Sequence, residues 1–310
     1  LTVMNGGRLI LGDKHVYHGD ILNGRAHGLG TVVKGKCFFA GSFSNGREEL
    51  GVYKELDEKK VEISRFIYKG QLFNGRPHGA GDGYLTATWR FKGEWTAGER
   101  GPHGMQLVRT PAGRLDCYTG SWAHGELDGY GGIYYGQEQE GLYRGQIKSG
   151  KRHGFGIYSG VIPGETGVFE CFVGQWIEGV FSGYGTHSRS DGWKYEGRFA
   201  RNAAHGFGVT TKPDGTKESG EYVNGRLAMN LNEWKAKLLD GIRSYTRSVN
   251  ESVEKAREAA KEAEKQDAIA DKLIVNIYDK AKQVDIIVNE AYNRGNTAFA
   301  YAEQFHFADA

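Results

Sequence analysis

The chain has 310 residues, a formal charge of +2 and 39% hydrophobic residues, so it is long enough to bury a sizeable core. Residues 1–228 carry 28 Lys and Arg against 24 Asp and Glu, and residues 229–310 carry 12 against 14, a balance that excludes the strongly basic profile of a nucleic-acid binder. The three cysteines, Cys37, Cys117 and Cys171, are odd in number and form no C-x-x-C pair, which excludes a disulfide framework or a zinc site and points to a reducing, cytoplasmic setting.

No run of 18 apolar residues exists, so the sequence predicts no membrane span. The N-terminal residues do not read as a signal peptide, and a chain that starts at Leu1 is compatible with a fragment of a longer protein.

Along residues 1–228 an aromatic–glycine cluster recurs. Tyr17, Phe39, Tyr68, Phe91, Tyr118, Tyr143, Phe172 and Tyr195 each open a copy, and in each a glycine follows two residues later. Two residues further on stands a large apolar side chain: Ile21, Phe43, Leu72, Trp95, Trp122, Ile147, Trp176 or Phe199. A ninth copy, from Gly220 to Gly225 with Tyr222, lacks the opening aromatic. Many copies end in H-G-x-G, as in His153-Gly154-Phe155-Gly156. Copies two, five and seven depart from it with Glu49-Leu50-Gly51, Asp128-Gly129-Tyr130-Gly131 and Ser182-Gly183-Tyr184-Gly185.

Residues two apart share one face of a strand, so Tyr143, Gly145 and Ile147 are expected on a single face, with Phe155 on the other. The segment around Gly150 supplies a turn, and Pro213-Asp214-Gly215 and Asp191-Gly192 carry the chain into the next copy. Each copy is therefore predicted to be a β-hairpin, and about nine paired hairpins at ~4.8 Å per strand make a ribbon on the order of 85 Å long. Longer spacings between copies place loop insertions at Glu55–Arg65 and Ile162–Phe169.

This pattern resembles the MORN repeat (membrane occupation and recognition nexus) over residues 17–226. The resemblance implies a non-catalytic platform that binds proteins or membranes. The settings it implies are cytoskeletal, ciliary or membrane-contact assemblies, with no cofactor, no metal and no small-molecule substrate.

Residues 229–310 differ. From Leu231 to Arg294 there is no proline and one internal glycine, Gly241. Asn230 or Asn232 is the expected N-cap and Gly295 the expected stop. Ile242, Val249, Ala256, Ala263, Ala270, Ile277, Val284 and Ala291 recur every seven residues, which predicts an amphipathic helix of about 63 residues, roughly 95 Å long. Such a stripe needs a partner surface. The helix either folds back along the ribbon, its alanines approaching the aromatic side chains, or pairs with another chain as a coiled coil. The expected fold is thus mainly β: a single-layer antiparallel ribbon of hairpin repeats with a long C-terminal α-helix packed along it. Residues 296–310 read as a short aromatic end-piece.

A MORN ribbon followed by an Ala-rich helix is also similar to junctophilins, which bridge endoplasmic reticulum and plasma membrane. Here the repeats run on without a long joining segment, so the likeness is carried over for the architecture and not for a junctional role.

Several motifs invite a chemical reading. Gly145 to Arg152 approaches a P-loop but has Arg152 where Ser or Thr must ligate magnesium. His27, His78, His103, His153 and His205 form a column, yet neighbours one repeat apart stand ~10 Å from each other and cannot share an ion. Trp95, Trp122 and Trp176 fit either exposed anchors for a partner or members of an internal stack. Arg25, Arg47, Arg76, Arg100, Lys151, Arg152, Arg201 and Arg226 fall at or near the turns and define a basic edge. That edge is open to three readings: solvated turn residues, a contact for an acidic protein, or a contact for anionic lipid at ~1 kcal/mol per residue.

Overall fold

The computed structural model describes residues 3–12, 15–55, 66–85, 88–111, 113–136, 141–162, 164–165, 167–230 and 238–306, and the side chains of all of these except 3, 229–230, 238–243 and 295–306. The chain divides into two compact units, Leu1–Val108 with Asp271–Ala310, and Arg109–Ala270.

The first unit holds β1 (Val3–Leu11), β2 (His15–Leu22), β3 (Arg25–Lys34), β4 (Cys37–Ser44), β5 (Arg47–Glu55), β6 (Phe66–Phe73), β7 (Arg76–Leu85), β8 (Trp89–Thr96) and β9 (Glu99–Arg109). The second holds β10 (Leu115–Ala123), β11 (Glu126–Tyr135), β12 (Gly141–Lys148), β13 (Lys151–Val161), β14 (Phe169–Ile177), β15 (Val180–Arg189), β16 (Lys194–Ala200), β17 (Ala203–Thr211), β18 (Lys217–Val223) and β19 (Arg226–Asn230). Within each unit consecutive strands pair antiparallel in chain order, which is the hairpin ribbon that the repeat predicts. One long helix, α1 (Leu238–His306), gives its first part to the second unit and its remainder to the first.

Register explains the glycines. In the first unit Gly19 faces Gly30, Gly30 faces Gly41 and Gly41 faces Gly51. In the second, Gly131 faces Gly145, Gly145 faces Gly156 and Gly156 faces Gly174. Within each unit a row without side chains thus crosses the strands, ending where Gly220 faces Asn230 on β19, and opening aromatics such as Tyr17, Phe39, Tyr68, Phe91, Tyr143 and Tyr195 lie down in it. A Cβ on Gly81 would stand 2.2 Å from the Tyr68 hydroxyl oxygen, and one on Gly208 would stand 2.3 Å from that of Tyr195.

The turns are as specific. Asn23-Gly24, Asn45-Gly46, Asn74-Gly75, Ala97-Gly98, His124-Gly125, Ser149-Gly150, Glu178-Gly179, Arg201-Asn202 and Asn224-Gly225 all have positive φ at both residues. That is the type I′ geometry of a two-residue hairpin, whose twist matches the strands. After the turn the return strand bulges. In the first copy Gly19 pairs with Gly30 and Ile21 with Ala26, so two steps on β2 face four on β3. The H-G glycine takes the left-handed conformation that this bulge needs, with φ of 68° at Gly28 and 58° at Gly154.

Successive hairpins are also tied along the turn edge. The N–H of a turn residue donates to a carbonyl just past the previous turn: Gly46 to Ala26 at 2.8 Å, Gly98 to Pro77 at 2.9 Å, Gly150 to Leu127 at 2.8 Å and Gly225 to Ala204 at 2.8 Å.

The helix does fold back, but not over the aromatics. In the second unit the Tyr245 hydroxyl donates to the Glu196 carbonyl, Ser252 Oγ donates to the Tyr184 carbonyl at 2.5 Å, and Asp267 accepts from Thr119 Oγ1 and, at 3.3 Å, from Arg144 Nε. In the first, Lys69 Nζ meets Asp285 at 2.6 Å, Arg294 meets Asp20 at 3.0 Å, and Tyr292 stacks on Phe38. Arg144, Lys69 and Phe38 each sit beside a buried aromatic in sequence and so point to the opposite face. The aromatics are closed off by one another, and this leaves the other face for the helix.

Val249, Ala256, Ala263 and Ala270 are buried in the second unit and Ile277, Val284 and Ala291 in the first; the Ile242 side chain lies outside the described residues. Side chains the size of Ile277 or Val284 contribute ~1.5–3 kcal/mol each when buried.

Gly295 does not stop the helix, which runs on to His306. One interior glycine costs only ~1 kcal/mol relative to alanine, and the Ala-rich segment after it carries the helix forward. The end-piece is therefore helical through His306, while 307–310 lie outside the described residues. The expected N-cap Asn232 and most of the insertion at Glu55–Arg65 also lie outside them.

Candidate functional site

Two surfaces follow from this construction, and a buried interior separates them. The interior is the aromatic stack. Trp95 is edge-on to Tyr68 and Phe91 at 5.3 and 5.2 Å, and Trp176 to Tyr143 and Phe172, both at 5.2 Å. The indole N–H groups of Trp95 and Trp176 donate to the carbonyls of Gly81 and Gly156, each at 3.2 Å. With Trp122 also buried, the three tryptophans are stack members and not exposed anchors.

The tyrosine hydroxyls reach over the bulges. Tyr143 donates to the Gln146 carbonyl at 2.6 Å, Tyr68 to the Gln71 carbonyl at 2.9 Å, and Tyr17 to the Asp20 carbonyl at 2.7 Å. On the other face the side chain of that same residue accepts from the bulge. Gln146 Oε1 takes the Phe155 N–H at 2.8 Å, Gln175 Oε1 takes Tyr184 N–H at 3.0 Å, and Asp20 takes Leu29 N–H at 3.2 Å. Burial drives the Tyr17, Tyr68, Tyr143, Tyr195 and Tyr245 phenols far above the ordinary tyrosine range, and the nearby carboxylate of Asp20 adds to the effect at Tyr17.

The first surface is the turn edge. Arg25, Arg47, Arg76 and Arg226 are the first residues after Asn-Gly turns, and Arg201 is itself a turn residue. All five are exposed and make no ion pair among the described residues. Lys151 lies on the same kind of edge, paired with Glu178 at 2.7 Å. Arg100 is half-buried beside the Trp89 ring. Arg152 does not join the edge: its guanidinium lies 4.3 Å from the Trp176 ring centroid and donates to the Gly179 carbonyl at 2.7 Å. Within the first unit Arg25, Arg47 and Arg76 are therefore separate groups two strands apart, ~9.6 Å, rather than a cluster.

The second surface is the outward side of α1. In the first unit it exposes Val275, Tyr278 and Ile286, on the side away from Ile277 and Val284. In the second unit the exposed positions include the charged Glu254, Arg257, Lys261, Glu264 and Lys265 along with Ile269. The heptad reading singled out the buried stripe. The exposed trio was missed because that reading followed only the buried rows and left the opposite side of the helix unread.

The chemical look-alikes resolve as repeat parts. Gly145 to Arg152 is a hairpin with a turn at Ser149-Gly150, and a strand follows it where a P-loop needs a helix. The histidines belong to the bulges: His103 Nδ1 lies 3.1 Å from Glu94, and His78 packs on Phe73. Among the described residues no group of His, Cys, Asp and Glu is placed to hold a metal ion. Cys37, Cys117 and Cys171 are half-buried thiols. Among the described residues no helix is long and apolar enough to cross a membrane.

Comparison with known proteins agrees with the geometry. The family model for the MORN repeat matches residues 17–35, 68–81, 118–136, 143–161, 172–194 and 195–217. The hairpins opening at Phe39 and Phe91 lie outside these matches yet carry the same pairing, Gly41 with Gly51 and Gly93 with Gly104. The chain is similar to an ALS2 C-terminal-like protein of Bos taurus, 34% identical over 95 residues, 29% of this chain and 9% of the relative. It is similar to Alsin of Homo sapiens, 27% identical over 134 residues, 41% of this chain and 8% of the relative. MORN repeat-containing protein 3 of Xenopus laevis is 38% identical over 73 residues, 23% of this chain and 30% of the relative. The matched region is thus less than a tenth of the first two relatives and under a third of the last.

Proposed function

The chain is a MORN-repeat protein, and from that premise we propose that it is a non-catalytic scaffold or adaptor. It holds protein partners in a larger cytoskeletal, ciliary or membrane-associated assembly inside the cell. In this reading residues 1–228 form the presenting ribbon and residues 229–310 its backing helix. MORN repeats are modules of protein or membrane contact.

The observation that carries the reading is the outward face of α1 in the first unit. Val275, Tyr278 and Ile286 are exposed there, although the buried stripe already satisfies the helix. Apolar side chains grouped on one side mark a protein contact. The exposed Arg25, Arg47 and Arg76 of the same unit supply a polar edge. Affinity purification of the native protein with crosslinking, repeated on Val275→Glu/Ile286→Glu and on Arg25→Glu/Arg47→Glu/Arg76→Glu, tests it. Undiminished recovery of every partner with both variants would sink the reading.

The second reading is a peripheral tether that binds anionic lipid through the turn edge. It is favoured by the exposed Arg25, Arg47 and Arg76, each set by an Asn-Gly turn on a successive hairpin of the first unit. Cosedimentation with vesicles containing phosphatidylserine over a salt series separates the two. Steep, salt-sensitive binding supports the tether, and its absence leaves the scaffold.

A further inference from the structure

The second copy departs from the pattern of the other hairpin copies in the first unit. The return strand of the second copy is a residue shorter: Ser42 pairs with Leu50 and Phe43 with Glu48, so its bulge carries one extra residue instead of two. The turn-edge bond is lost at the same place. Gly46 reaches Ala26 and Gly98 reaches Pro77, but among the described residues no such bond joins Gly75 to Glu48. The residue at that position changes character too. Elsewhere it is Ala26, Pro77, Arg100, Leu127, Arg152, Phe181, Ala204 or Leu227, apolar or cationic, and here it is a carboxylate.

The hairpins part around it into a cavity of about 250 Å³ within the first unit. Val32, Phe39 and Leu72 give apolar walls, and Glu48 and Lys34 supply the charges. The Glu48 side chain is only 7% exposed and pairs with Lys34 Nζ, whose side chain is 36% exposed.

We propose that this cavity is a pocket for the side chain of a lysine presented by a partner polypeptide. The incoming ammonium takes the place of Lys34 on Glu48, and its methylenes lie against Val32, Phe39 and Leu72. A carboxylate buried this far requires a cation, so the site selects for charge. Lys34 is open enough to solvent to leave, and the exchange of one ammonium for another conserves the charge inside. The volume lies below the roughly 300–1,000 Å³ of pockets for drug-sized ligands and suits a single side chain. The cation already seated on Glu48 is an ammonium on a methylene chain, so the pocket is shaped for that head group and stem.

The pocket rests on the scaffold reading only in taking a polypeptide as the source of the amine. Loss of that reading in the edge and helix variants, with lysine binding intact, would leave the pocket standing.

The test titrates the full chain with Nα-acetyl-L-lysine N-methylamide, following the backbone amides of Val32 and Gly75 by NMR and the alkylation rate of Cys37 by iodoacetamide. Saturable shifts and slowed alkylation are expected in the wild type. Binding should weaken about tenfold or more in Glu48→Gln, which removes one charge-assisted contact. It should tighten in Lys34→Ala, where the internal competitor is gone; Lys34→Gln serves if that variant does not fold. The Nε-acetylated probe should leave the spectra unchanged. The proposal is overturned if the norleucine analogue binds as well as the lysine, if Glu48→Gln binds undiminished, or if neither the wild type nor a Lys34 variant binds at high millimolar probe. Tighter binding of n-butylammonium than of the lysine amide would overturn a polypeptide as the source.

Discussion

The ring of Tyr143 lies so close to Gly156 that a Cβ there would stand 2.4 Å from the tyrosine hydroxyl oxygen. Gly156 has no left-handed backbone to protect, so the constraint is purely one of space. Gly156→Ala should therefore displace the Tyr143 ring and cost ~1–3 kcal/mol, as other overpacked cores do. Gly150→Ala is the contrast, because a Cβ at Gly150 meets nothing within 4 Å and only its φ of 73° is penalised, at ~1–2 kcal/mol. Urea unfolding measures both. Loss of the Tyr143 near-ultraviolet signature should accompany the first substitution and not the second.

Arg152 separates a basic residue that packs from basic residues that present. Its guanidinium covers Trp176 and bonds the Gly179 carbonyl, whereas Arg47 is exposed without an ion pair. Arg152→Met should destabilise the second unit by about 1–3 kcal/mol, combining a cation–π contact with a hydrogen bond. Arg47→Met should stay within about 0.5 kcal/mol. Equal effects in thermal unfolding would contradict the assignment of Arg152 to the interior.

The helix interface depends on small side chains. Ala263 is fully buried where α1 lies on the strands of the second unit. Ala263→Leu should lift that part of the helix at a cost of ~1–3 kcal/mol. Hydrogen exchange at 245–270 should accelerate while the β12–β13 amides stay protected. Simultaneous acceleration of both would mean that helix and strands open as one, against this picture.

Much of this was legible in the sequence, and the limits have physical causes. A period of two within each copy, read from Tyr143, Gly145 and Ile147, gave the faces of the strands. A period of seven, from Val249 to Ala291, gave the buried side of the helix. Periodicity cannot say which sheet face the helix takes, because that depends on whether the aromatics satisfy themselves. They do, through the glycine row and the edge-on contacts of residues such as Trp176. The turn-edge bonds between Gly46 and Ala26 or Gly150 and Leu127 join different hairpins and leave no local signature. The missing residue in the second copy was visible as Glu49-Leu50-Gly51, but its consequence, a cavity beside Glu48, needed the register. Gly295 misled because a helix-stop signal is weak against a following run of good helix formers.

The buried phenols set an alkaline limit. Burial raises the folded-state pKa of Tyr17, Tyr68, Tyr143, Tyr195 and Tyr245 above the unfolded value of about 10. A raised folded-state pKa means that the unfolded chain binds fewer protons at high pH. The stability these groups contribute is therefore fully present below about pH 10 and falls as the pH climbs from there toward their folded-state values. The tyrosinate absorbance of the buried set should rise together with loss of the β signal. Tyr68→Phe removes one such group, along with its bonds to the Gln71 and His78 carbonyls. It should lower stability at neutral pH by about 0.5–1.5 kcal/mol while making the loss above pH 10 shallower. A steeper alkaline loss in that variant would show that the buried hydroxyl does not govern the transition.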